Sequence, residues 1–289
     1  MISYMNNILC VIVTYNRLSD LKECIKALTL QSYKEFDILI VNNGSTDGTD
    51  GYLASLPNSY HIINQANIGG AGGFYTGMKY MMDNGYGYLW LMDDDGIPDK
   101  KQLEELWKNR EESDYLNALV LDKDNNEDLA FPGKINTVAS ICTERLTARF
   151  VHPFNGTFFS RNLIEKIGLI KREMFIWGDE KEYTYRAIRK GFKPMTVTTA
   201  IHFHPKEKGV KKVALPFFSL KNDKILVKPR NLSKYYYRNL GYIDAKYHSN
   251  LKSTKWFVLH FIYFLRTFQF IELNKYIKSY FAGRNDNYN

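Results

Sequence analysis

The first part of the chain contains four short apolar runs that are rich in β-branched and aromatic side chains. They occupy residues 8–13, 36–41, 60–64 and 88–92. Runs of this length and composition are typical of strands that are buried on both faces of a sheet. Between the first two runs, Leu21, Cys24 and Leu28 recur at helical spacing. Strands that alternate with helices in this way predict a parallel, doubly wound α/β sheet.

Weaker patterns extend this succession of elements further along the chain. We predict more strands at residues 118–121, 154–160 and 195–201, and helices at residues 99–107 and 161–167. Side chains that can accept a hydrogen bond from a free helix N–H group precede several of the helices. The predicted caps are Ser19, Thr46 or Asp47, and Asp99.

Three consecutive carboxylates, Asp93, Asp94 and Asp95, directly follow the fourth apolar run. Ligands of open α/β sheets bind at the carboxyl ends of the strands. Like charges at such an end repel one another and raise carboxylate pKa values unless a cation or hydrogen-bond donors compensate. A hard divalent cation that also holds the phosphates of a nucleotide meets this requirement, whereas a solvated acidic loop is the alternative.

Polar groups follow the first two strands as well, and a glycine-rich segment follows the third. The sequences are Thr14-Tyr15-Asn16-Arg17, Asn42-Asn43-Gly44-Ser45-Thr46-Asp47 and Asn67-Ile68-Gly69-Gly70-Ala71-Gly72-Gly73. Glycines let a backbone approach a ligand closely, and the helix predicted after Gly73 offers its N-terminus to an anion. The spacing matches neither the dinucleotide fingerprint nor the P-loop. A tight turn packed against the sheet is the alternative interpretation.

A second acidic cluster and a pair of histidines complete the candidate chemistry. Asp179, Glu180 and Glu182 lie near the predicted start of a helix, where the helix dipole also favours carboxylates. His202 and His204 follow the last predicted strand and share one face of an extended segment. Capping carboxylates and structural histidines are common, so neither cluster defines a function by itself.

The net charge, the cysteines and the N-terminal sequence indicate the kind of partner and the cellular compartment. The net charge is +8 and the pI about 9.1, which favours an anionic partner such as a nucleic acid, an anionic lipid or a nucleotide. The cysteines, Cys10, Cys24 and Cys142, are expected as reduced thiols, not as a disulfide frame or a zinc site. The N-terminus lacks a charged region that leads into a cleavable apolar one, so we expect a cytoplasmic protein.

After residue 215 the composition changes, because cationic and aromatic residues interleave at 228–239 and 252–284. We therefore predict two domains: residues 1–215 carry the α/β sheet, and residues 216–289 form a basic, aromatic-rich helical extension. Such interleaving also occurs in proteins that bind single-stranded nucleic acid. No recognised nucleic-acid module accompanies it here, so no nucleic-acid partner is expected.

The longest apolar run of this extension, residues 256–270, is shorter than the ~20 residues that a spanning helix needs. Basic residues flank or interrupt it: Lys252, Lys255, Arg266, Lys275 and Lys278. Helices that lie at a membrane surface combine basic residues with an aromatic and aliphatic face. Two interpretations stay open: reversible attachment to the anionic inner face of the plasma membrane, and burial of the aromatics against the first domain.

Taken in order, these motifs resemble those of inverting glycosyltransferases of family 2, which have the nucleotide-diphospho-sugar fold called GT-A. The resemblance covers residues 8–205. Its carriers are Thr14-Tyr15-Asn16-Arg17, Val41-Asn42-Asn43-Gly44-Ser45-Thr46-Asp47, the segment from Asn67 to Phe74, Asp93-Asp94-Asp95, the segment from Trp177 to Arg186, and His204. The glycine-rich segment, the triple aspartate and Trp177 before the acidic pair look most like bacterial galactofuranosyltransferases. Rhamnosyltransferases share much of this pattern.

The resemblance implies a role for each matching position. Mn²⁺ or Mg²⁺ would bind Asp93, Asp95 and a histidine after the last strand, either His204 or His202. A gapless count places Glu180 on the family's catalytic-base position, with Asp179 as its neighbour. The donor would contact Thr14, Tyr15, Asn16, Arg17, Asn42, Asn43, Asn67, Gly69, Gly70, Gly72, Gly73, Asp94, Trp177 and Arg186. Asn42 stands where the family often has aspartate, so that an amide would face the uracil edge.

We therefore expect a metal-dependent, inverting transfer of a sugar to a hydroxyl group of a cell-surface glycan precursor, such as an O-antigen or capsule. The favoured donor is UDP-galactofuranose, and the alternative enzyme is a rhamnosyltransferase that uses dTDP-rhamnose. The resemblance also implies an acceptor carried on polyprenyl diphosphate. A nucleotidyltransferase commonly has a glycine-rich loop where residues 14–17 stand. A non-catalytic protein that binds sugar nucleotides or glycans would not need both acidic clusters.

Overall fold

The structure is a computed structural model that describes residues 7–131, 138, 144–148, 154–206, 211–215 and 224–288. Its contacts divide the chain into two compact units. The first comprises Met1–Arg172 and Tyr183–Lys206, and the second comprises Glu173–Glu182 and Glu207–Asn289. The acidic cluster around Glu180 thus belongs to the same unit as the C-terminal helices. The domain boundary after residue 215 stays a prediction.

The first unit is built on a sheet of nine strands, counted over the described residues. The strands are β1 (Ile8–Thr14), β2 (Phe36–Asn42), β3 (Tyr60–Asn64), β4 (Tyr88–Asp93), β5 (Ile97–Pro98), β6 (Tyr115–Asp122), β7 (Leu146–Thr147), β8 (Thr157–Ser160) and β9 (Met195–His204). Their spatial order is β3-β2-β1-β4-β8-β6-β9-β5, and β7 pairs with β9. The parallel arrangement predicted for the first strands is confirmed, because β3, β2, β1 and β4 pair in parallel.

The register of the parallel strands brings their polar ends together. Thr14 at the end of β1 pairs with Asn42 at the end of β2, and Val13 pairs with Asp93 at the end of β4. Side chains that are far apart in sequence therefore meet at one edge of the sheet. This edge carries the candidate site.

Helices cover both faces of the sheet, as a doubly wound fold requires. They are α1 (Leu18–Thr29), α2 (Thr49–Ala54), α3 (Gly69–Asp83), α4 (Gln102–Lys108), α5 (Arg161–Ile167) and α6 (Asp179–Arg189). Alternate residues of β1 pack on opposite faces of the sheet. Leu9 and Val11 pack with α3 and α5, whereas Ile8 and Cys10 pack with α1 and α4. The continuous apolar runs reflect this burial on both sides.

The other half of the sheet mixes strand directions, which periodicity alone does not predict. β8 lies antiparallel between β4 and β6, and β5 and β7 pair antiparallel with β9. β6 and β9 are parallel, with a register shift between Ala118 and Leu119. Antiparallel neighbours of this kind are common at the flanks of large α/β sheets.

Two of the predicted helix caps are wrong. α1 begins at Leu18 after Arg17, so that Ser19 lies inside the helix. Asp99 precedes α4 by a turn, and Lys101 occupies the position before the helix. Gly48 holds the corresponding position of α2, while the Asp47 carboxylate accepts the backbone N–H of Thr49 at 3.2 Å.

The second unit contains the helices expected of a C-terminal extension, together with an unpredicted hairpin. Its helices are α7 (Ser233–Tyr247), α8 (Asn250–Arg266) and α9 (Phe270–Arg284), and its hairpin strands are β10 (Lys211–Ala214) and β11 (Lys224–Val227). Aromatic side chains such as Tyr237, Phe264 and Tyr276 form the core of this unit. Gly241 and Gly283 let α7 and α9 touch, because a Cβ at either position would collide with a carbonyl oxygen of the other helix.

Cys10 and Cys24 are buried free thiols, and Cys142 lies outside the described residues. Among the helices that the structure describes, none combines the length and hydropathy needed to cross a bilayer.

Candidate active site

The acidic triplet at the end of β4 carries crowded negative charge. Burial, together with repulsion by Asp95 and Asp94, raises the pKa of Asp93 from 3.8 to about 8. Burial also raises the pKa of Asp94 to about 6, against the opposing effect of Arg17. Asp95 behaves differently, because contacts with His204 and Arg17 outweigh its burial and hold its pKa at about 2. Full ionisation of the triplet would thus place more negative charge here than its neighbours compensate, and Asp93 keeps its proton at neutral pH.

His204, the last residue of β9, completes a group of three side chains that can ligate a metal. One ligand atom from each of Asp93, Asp95 and His204 lies within 4.8 Å of the others. His204 Nδ1 is 2.6 Å from the carbonyl oxygen of Pro205, and its Nε2 is 3.1 Å from Asp95 Oδ1. A carbonyl oxygen only accepts, so Nδ1 donates and Nε2 faces the carboxylates. Although burial opposes it, the contact with Asp95 raises the pKa of His204.

This donor set fits a hard divalent cation. Two carboxylates supply oxygen ligands of the kind that Mg²⁺ and Mn²⁺ prefer, and the imidazole favours Mn²⁺ over Mg²⁺. The crowding that raises the pKa of Asp93 is the condition that a bound cation relieves. A ligating imidazole must be unprotonated at the metal-bound nitrogen, so cation binding would compete with protonation of His204 at Nε2.

Asp94 faces the loop after β1. Its Oδ2 accepts hydrogen bonds from Thr14 Oγ1 at 2.8 Å and from the backbone N–H of Tyr15 at 3.2 Å. Arg17 forms ion pairs with Asp94, at 3.4 Å, and with Asp95. Thr14 is buried, whereas the side chains of Tyr15 and Arg17 are about half exposed. Thr14 and Asp94 therefore hold the loop, and Tyr15 and Arg17 offer accessible groups beside the acidic triplet.

Asn16 ties the loop after β1 to the loop after β2. Its φ of +53° lies in the left-handed region, which asparagine tolerates better than most residues. Its backbone N–H donates to Ser45 Oγ at 3.0 Å, and its side-chain Oδ1 accepts the N–H of Thr46 at 2.6 Å. Asp47 adds a further link by accepting the N–H of Leu18 at 3.0 Å. These three hydrogen bonds connect the two loops.

Asn42 is buried, and the protein itself uses its side-chain amide. Nδ2 donates to Asn64 Oδ1 at 3.0 Å and to Asp50, and Oδ1 accepts the N–H of Ser45 at 3.1 Å. The carboxylate that pairs with this amide comes from Asp50 in α2. A negative charge therefore lies beside the position where the family often has aspartate.

Asn43 links β2 to the start of α3. Its Nδ2 donates to the carbonyl oxygen of Gly69 at 2.8 Å, and its Oδ1 accepts from Gln65 Nε2 at 2.9 Å. Asn67, which is exposed, accepts the N–H of Gly69 through Oδ1 at 2.9 Å. These contacts fix the entry into α3, so Asn43 acts inside the protein and Asn67 lies at its surface.

The glycine-rich segment forms the first turns of α3, not a loop before the helix. Gly72 and Gly73 have a packing role, because a Cβ would collide with Ile68 and with Val13 of β1, respectively. Gly69 has a φ of +77° and begins the helix. Gly70 differs from the others, since no atom lies within 4 Å of the place where its Cβ would be. Packing or backbone conformation accounts for the other glycines that are predicted to contact the donor. Neither explains why a glycine stands at position 70.

His202 lies deeper than His204 on the same strand. It is fully buried, its Nδ1 is 3.0 Å from Gln102 Oε1, and its Nε2 points at Gly96. Burial and the neighbouring His204 lower the pKa of His202 to about 3, so the ring is neutral. His202 is not in the metal-ligating group, which leaves His204 as the candidate ligand of the pair.

The acidic cluster of the second unit follows an unusual turn. Trp177 has a φ of +62° and Gly178 a φ of +101°. The Glu180 carboxylate accepts the N–H of Gly178 at 3.2 Å, while Asp179 is buried. Glu182 accepts a hydrogen bond from the Tyr247 hydroxyl at 2.6 Å. Both candidates for the catalytic base therefore sit in the first turn of α6.

Arg186 lies on the part of α6 that belongs to the first unit. Its Nη1 donates to the carbonyl oxygens of Ile167, at 2.8 Å, and Leu169, at 2.9 Å. Ile167 is the last residue of α5, and Leu169 follows the helix. Carbonyl groups at the C-terminal end of a helix have no hydrogen-bond partner within the helix. Arg186 thus has a structural task, and a contact with the donor stays a prediction.

Two glutamines that the sequence did not single out, together with Ser45 of the motif after β2, support the predicted site residues. Gln102 holds His202, Gln65 holds Asn43, and Ser45 holds both Asn16 and Asn42. No periodicity or spacing marks glutamines such as these, since their partners are distant in sequence. Ser45 at least lies within the loop after β2, where polar residues cluster.

A doubly wound sheet with an acidic triplet and a histidine at its carboxyl edge defines the GT-A class of nucleotide-sugar transferases. The sequence model of glycosyl transferase family 2 matches residues 9–175, more than half of the chain. The chain belongs to this family and is a glycosyltransferase.

Among curated relatives, the chain is similar to the galactofuranosyltransferases GlfT1 of Mycolicibacterium smegmatis and Mycobacterium tuberculosis. The first is 28% identical over 68% of this chain and 70% of the relative. The second is 30% identical over 69% of this chain and 70% of the relative. An undecaprenyl-phosphate mannosyltransferase of Micrococcus luteus is 32% identical over 34% of this chain and 42% of the relative.

Solved structures share the fold at low sequence identity. S. aureus TarS 1–349 in complex with UDP-GlcNAc has a TM-score of 0.57 and 13% identity, over 97% of this chain and 92% of that one. A mannosyltransferase of Pyrobaculum calidifontis in complex with GDP-Man and Mn²⁺ has a TM-score of 0.55 and 14% identity, over 81% of this chain and 61% of that one. The predicted GT-A fold is thereby confirmed.

Proposed function

We propose that the protein transfers galactofuranose from UDP-galactofuranose to a hydroxyl group of a cell-surface glycan precursor, with inversion and with the help of a divalent cation. The observation that carries this proposal is the convergence of Asp93, Asp95 and His204 at the carboxyl edge of the sheet. The choice of donor is supported by the two relatives named galactofuranosyltransferases. The glycine-rich start of α3 supports the same choice.

Asp93, Asp95 and His204 would hold the cation, and the presence of Mn²⁺ in one structural neighbour supports this assignment. When bound, the cation supplies positive charge that neutralises the donor pyrophosphate and favours departure of the nucleoside diphosphate. Pro205 keeps the His204 ring turned so that Nε2 faces the carboxylates. Arg17, which pairs with Asp95, contributes a second positive charge beside them.

Glu180 is the proposed general base, which removes the proton of the acceptor hydroxyl as that oxygen attacks the anomeric carbon. The hydrogen bond from the Gly178 N–H holds one of its carboxylate oxygens. Asp179 is the alternative base, but it is buried, whereas Glu180 is partly exposed. An accessible carboxylate suits a group that must reach a substrate.

The acceptor is proposed to be carried on a polyprenyl diphosphate at a membrane surface. The relative named undecaprenyl-phosphate mannosyltransferase supports a polyprenyl-linked partner. In the second unit, Phe268 lies between α8 and α9, and Phe270 and Ile271 begin α9; these side chains are 78%, 57% and 84% exposed. Phe257 and Phe264 of α8 pack inside that unit. We therefore assign membrane contact to this exposed segment, with Arg266 at the adjoining end of α8 to favour anionic lipid.

Nucleotide release from a panel of sugar nucleotides, measured with Mn²⁺ and an acceptor, tests the reaction and the donor. We expect turnover of UDP-galactofuranose that EDTA abolishes. Asp95→Asn should lose transfer while it keeps the fold, as judged by circular dichroism. Turnover of dTDP-rhamnose without a response to UDP-galactofuranose would make the protein a rhamnosyltransferase. Normal turnover in EDTA would contradict the metal assignment.

A pair of carboxamide variants tests the base. Glu180→Gln should lower kcat by about 10²–10⁴-fold with donor binding near that of the wild type. Asp179→Asn is the matched control, since it neutralises the adjacent carboxylate, and its loss should be smaller. The reverse order would assign the base to Asp179.

Flotation with anionic and neutral vesicles tests the membrane contact. The intact chain should float with anionic vesicles at low salt, and the double variant Phe268→Ser/Ile271→Ser should not. Leu251→Ser is the matched control, because Leu251 is 84% exposed but lies at the far end of α8. Failure of the intact chain to bind anionic vesicles would refute the assignment.

A further inference from the structure

The turn that leads into the acidic pair has a backbone that its sequence does not favour. Phe175 and Trp177 have φ values of +66° and +62°, which are rare for residues with a side chain. The backbone N–H of Ile176 donates to the carbonyl oxygen of Met174 at 2.7 Å and closes a tight turn around Phe175. Such a turn is strained for a residue with a side chain, so contacts from elsewhere in the protein must support it. Backbone of this kind persists only where its surroundings over-determine it, and it concentrates at functional sites.

Asn239, on α7 in the same unit, imposes this conformation. Its Nδ2 lies within hydrogen-bond distance of three backbone carbonyl oxygens: 2.8 Å from Met174, 3.0 Å from Ile176 and 2.8 Å from Trp177. The side chain is almost fully buried, with 1% of its surface exposed. An amide nitrogen has two hydrogens, so three carbonyl groups share them, and the turn is wrapped around this one atom.

Other residues of the second unit also contact the turn. The ring of Tyr235 stacks on Phe175 with centroids 4.3 Å apart, and Lys228 Nζ lies 4.6 Å from the ring centroid of Trp177. Gly178 packs against the Cβ of Asn239, so that a side chain at this glycine would meet α7. The turn is therefore shaped on α7, and Asn239 supplies its central polar contact.

A single peptide group connects Asn239 with the proposed base. The carbonyl of Trp177 accepts from Asn239, and the N–H of the same peptide, on Gly178, donates to Glu180 at 3.2 Å. If this peptide flipped, its N–H would leave the carboxylate and its carbonyl oxygen would approach it instead. Because Asn239 Nδ2 can only donate, it favours the orientation in which Glu180 receives a hydrogen bond.

We infer that Asn239 is a positioning residue, which holds the Trp177–Gly178 peptide so that the Glu180 carboxylate keeps its catalytic orientation. The inference rests on the proposed role of Glu180 as the base. The hydrogen bonds of Asn239 go to backbone carbonyl oxygens of the turn, so its proposed effect on Glu180 acts through the Trp177–Gly178 peptide.

A double-mutant cycle in the full-length chain tests this inference, with kcat and donor KM measured for Asn239→Ala, Glu180→Gln and the double variant. Asn239→Ala should lower kcat by about 10²-fold, as expected for a catalytic group displaced by about 1 Å, and leave donor KM within about twofold. In the Glu180→Gln background the same substitution should change kcat by less than about threefold, because the group on which it acts is gone.

Two further variants separate positioning from stability. Asn239→Ser keeps one donor in a smaller side chain, so its kcat should lie between those of the wild type and Asn239→Ala. Ser253→Ala is the matched control: Ser253 is buried in the same unit and donates to the carbonyl of Asp244 at 3.1 Å, away from the turn. It should lower the melting temperature with little change in kcat.

The outcomes distinguish the two proposals. Normal kcat in Glu180→Gln would refute the base assignment and, with it, this inference. A low kcat in Glu180→Gln, combined with an effect of Asn239→Ala that persists in that background, would overturn the positioning role only. A loss of kcat in Ser253→Ala as large as that in Asn239→Ala would likewise make Asn239 a purely structural residue.

Discussion

The crowded carboxylates predict that Asp93→Asn makes the metal-free protein more stable at alkaline pH. The folded protein keeps the Asp93 proton up to about pH 8, because burial and its acidic neighbours raise the pKa from 3.8. The unfolded chain releases that proton near its ordinary pKa. Between these two values the unfolded state binds fewer protons than the folded state, so stability falls as pH rises. Asparagine at this position carries no charge and removes the penalty.

The size of the effect follows from the shift. Each pH unit between the two pKa values costs up to about 1.4 kcal/mol, which sets an upper limit of about 6 kcal/mol at pH 8. Asp93 is partly exposed, and water that reaches it reduces the penalty. We therefore expect Asp93→Asn to raise the free energy of unfolding by about 1–3 kcal/mol at pH 8, and to change it little near pH 4.

Urea denaturation in EDTA at several pH values measures this directly, and repetition with Mn²⁺ adds a second test. Mn²⁺ at 100 times its dissociation constant should stabilise the wild type by about 2.7 kcal/mol, and the variant much less. Asp122→Asn is a control of opposite sign. Lys206 Nζ lies 2.8 Å from Asp122 and lowers its pKa, so this substitution should destabilise the protein at neutral pH. An Asp93→Asn protein that is less stable than the wild type at pH 8 in EDTA would refute the reasoning.

Three further predictions concern the rest of the carboxyl edge. Gly70→Ala should leave the melting temperature unchanged and weaken donor binding in calorimetry. Gly73→Ala, by contrast, should destabilise the fold because its Cβ meets Val13. Equal donor affinity in Gly70→Ala and the wild type would remove Gly70 from the site. Thr14→Val deletes a hydrogen bond to the buried Asp94 and should cost about 1–3 kcal/mol in urea denaturation, which an unchanged midpoint would contradict. His204→Gln should lower the ratio of Mn²⁺-supported to Mg²⁺-supported turnover, and an unchanged ratio would exclude the ring as a ligand.

Features that depend on local pattern were predictable from the sequence. The apolar runs of β1, β2 and β4 mark buried strands, and the polar residues that follow them mark the edge of the sheet where ligands bind. Which histidine joins Asp93 and Asp95 in the candidate metal site depended on contacts that no local pattern contains. His202 and His204 have the same spacing and face, and only the neighbours differ: Gln102 at one ring and Asp95 at the other.

Other features were out of reach because they depend on tertiary contacts. The direction of β8 is set by pairing with strands on both sides, not by its own four residues. The glycine-rich segment was expected to precede a helix, yet tight packing on Val13 makes it the helix itself. Asn239 is hidden in an aromatic, basic helical stretch, where a single amide carries no periodic signal.

The hydrogen bonds between the loops after β1 and β2 affect the energetics of ligand binding. Asn16 forms hydrogen bonds with Ser45 and Thr46, and the N–H of Leu18 donates to Asp47. These contacts form within the protein itself, so the loops need not become ordered when a nucleotide arrives. Association with a preorganised surface avoids the entropic cost of fixing loose segments, and this raises affinity without any added contact. The backbone amides of Leu18 and Thr46 should accordingly exchange slowly with deuterium before any donor is added, with little further protection afterwards.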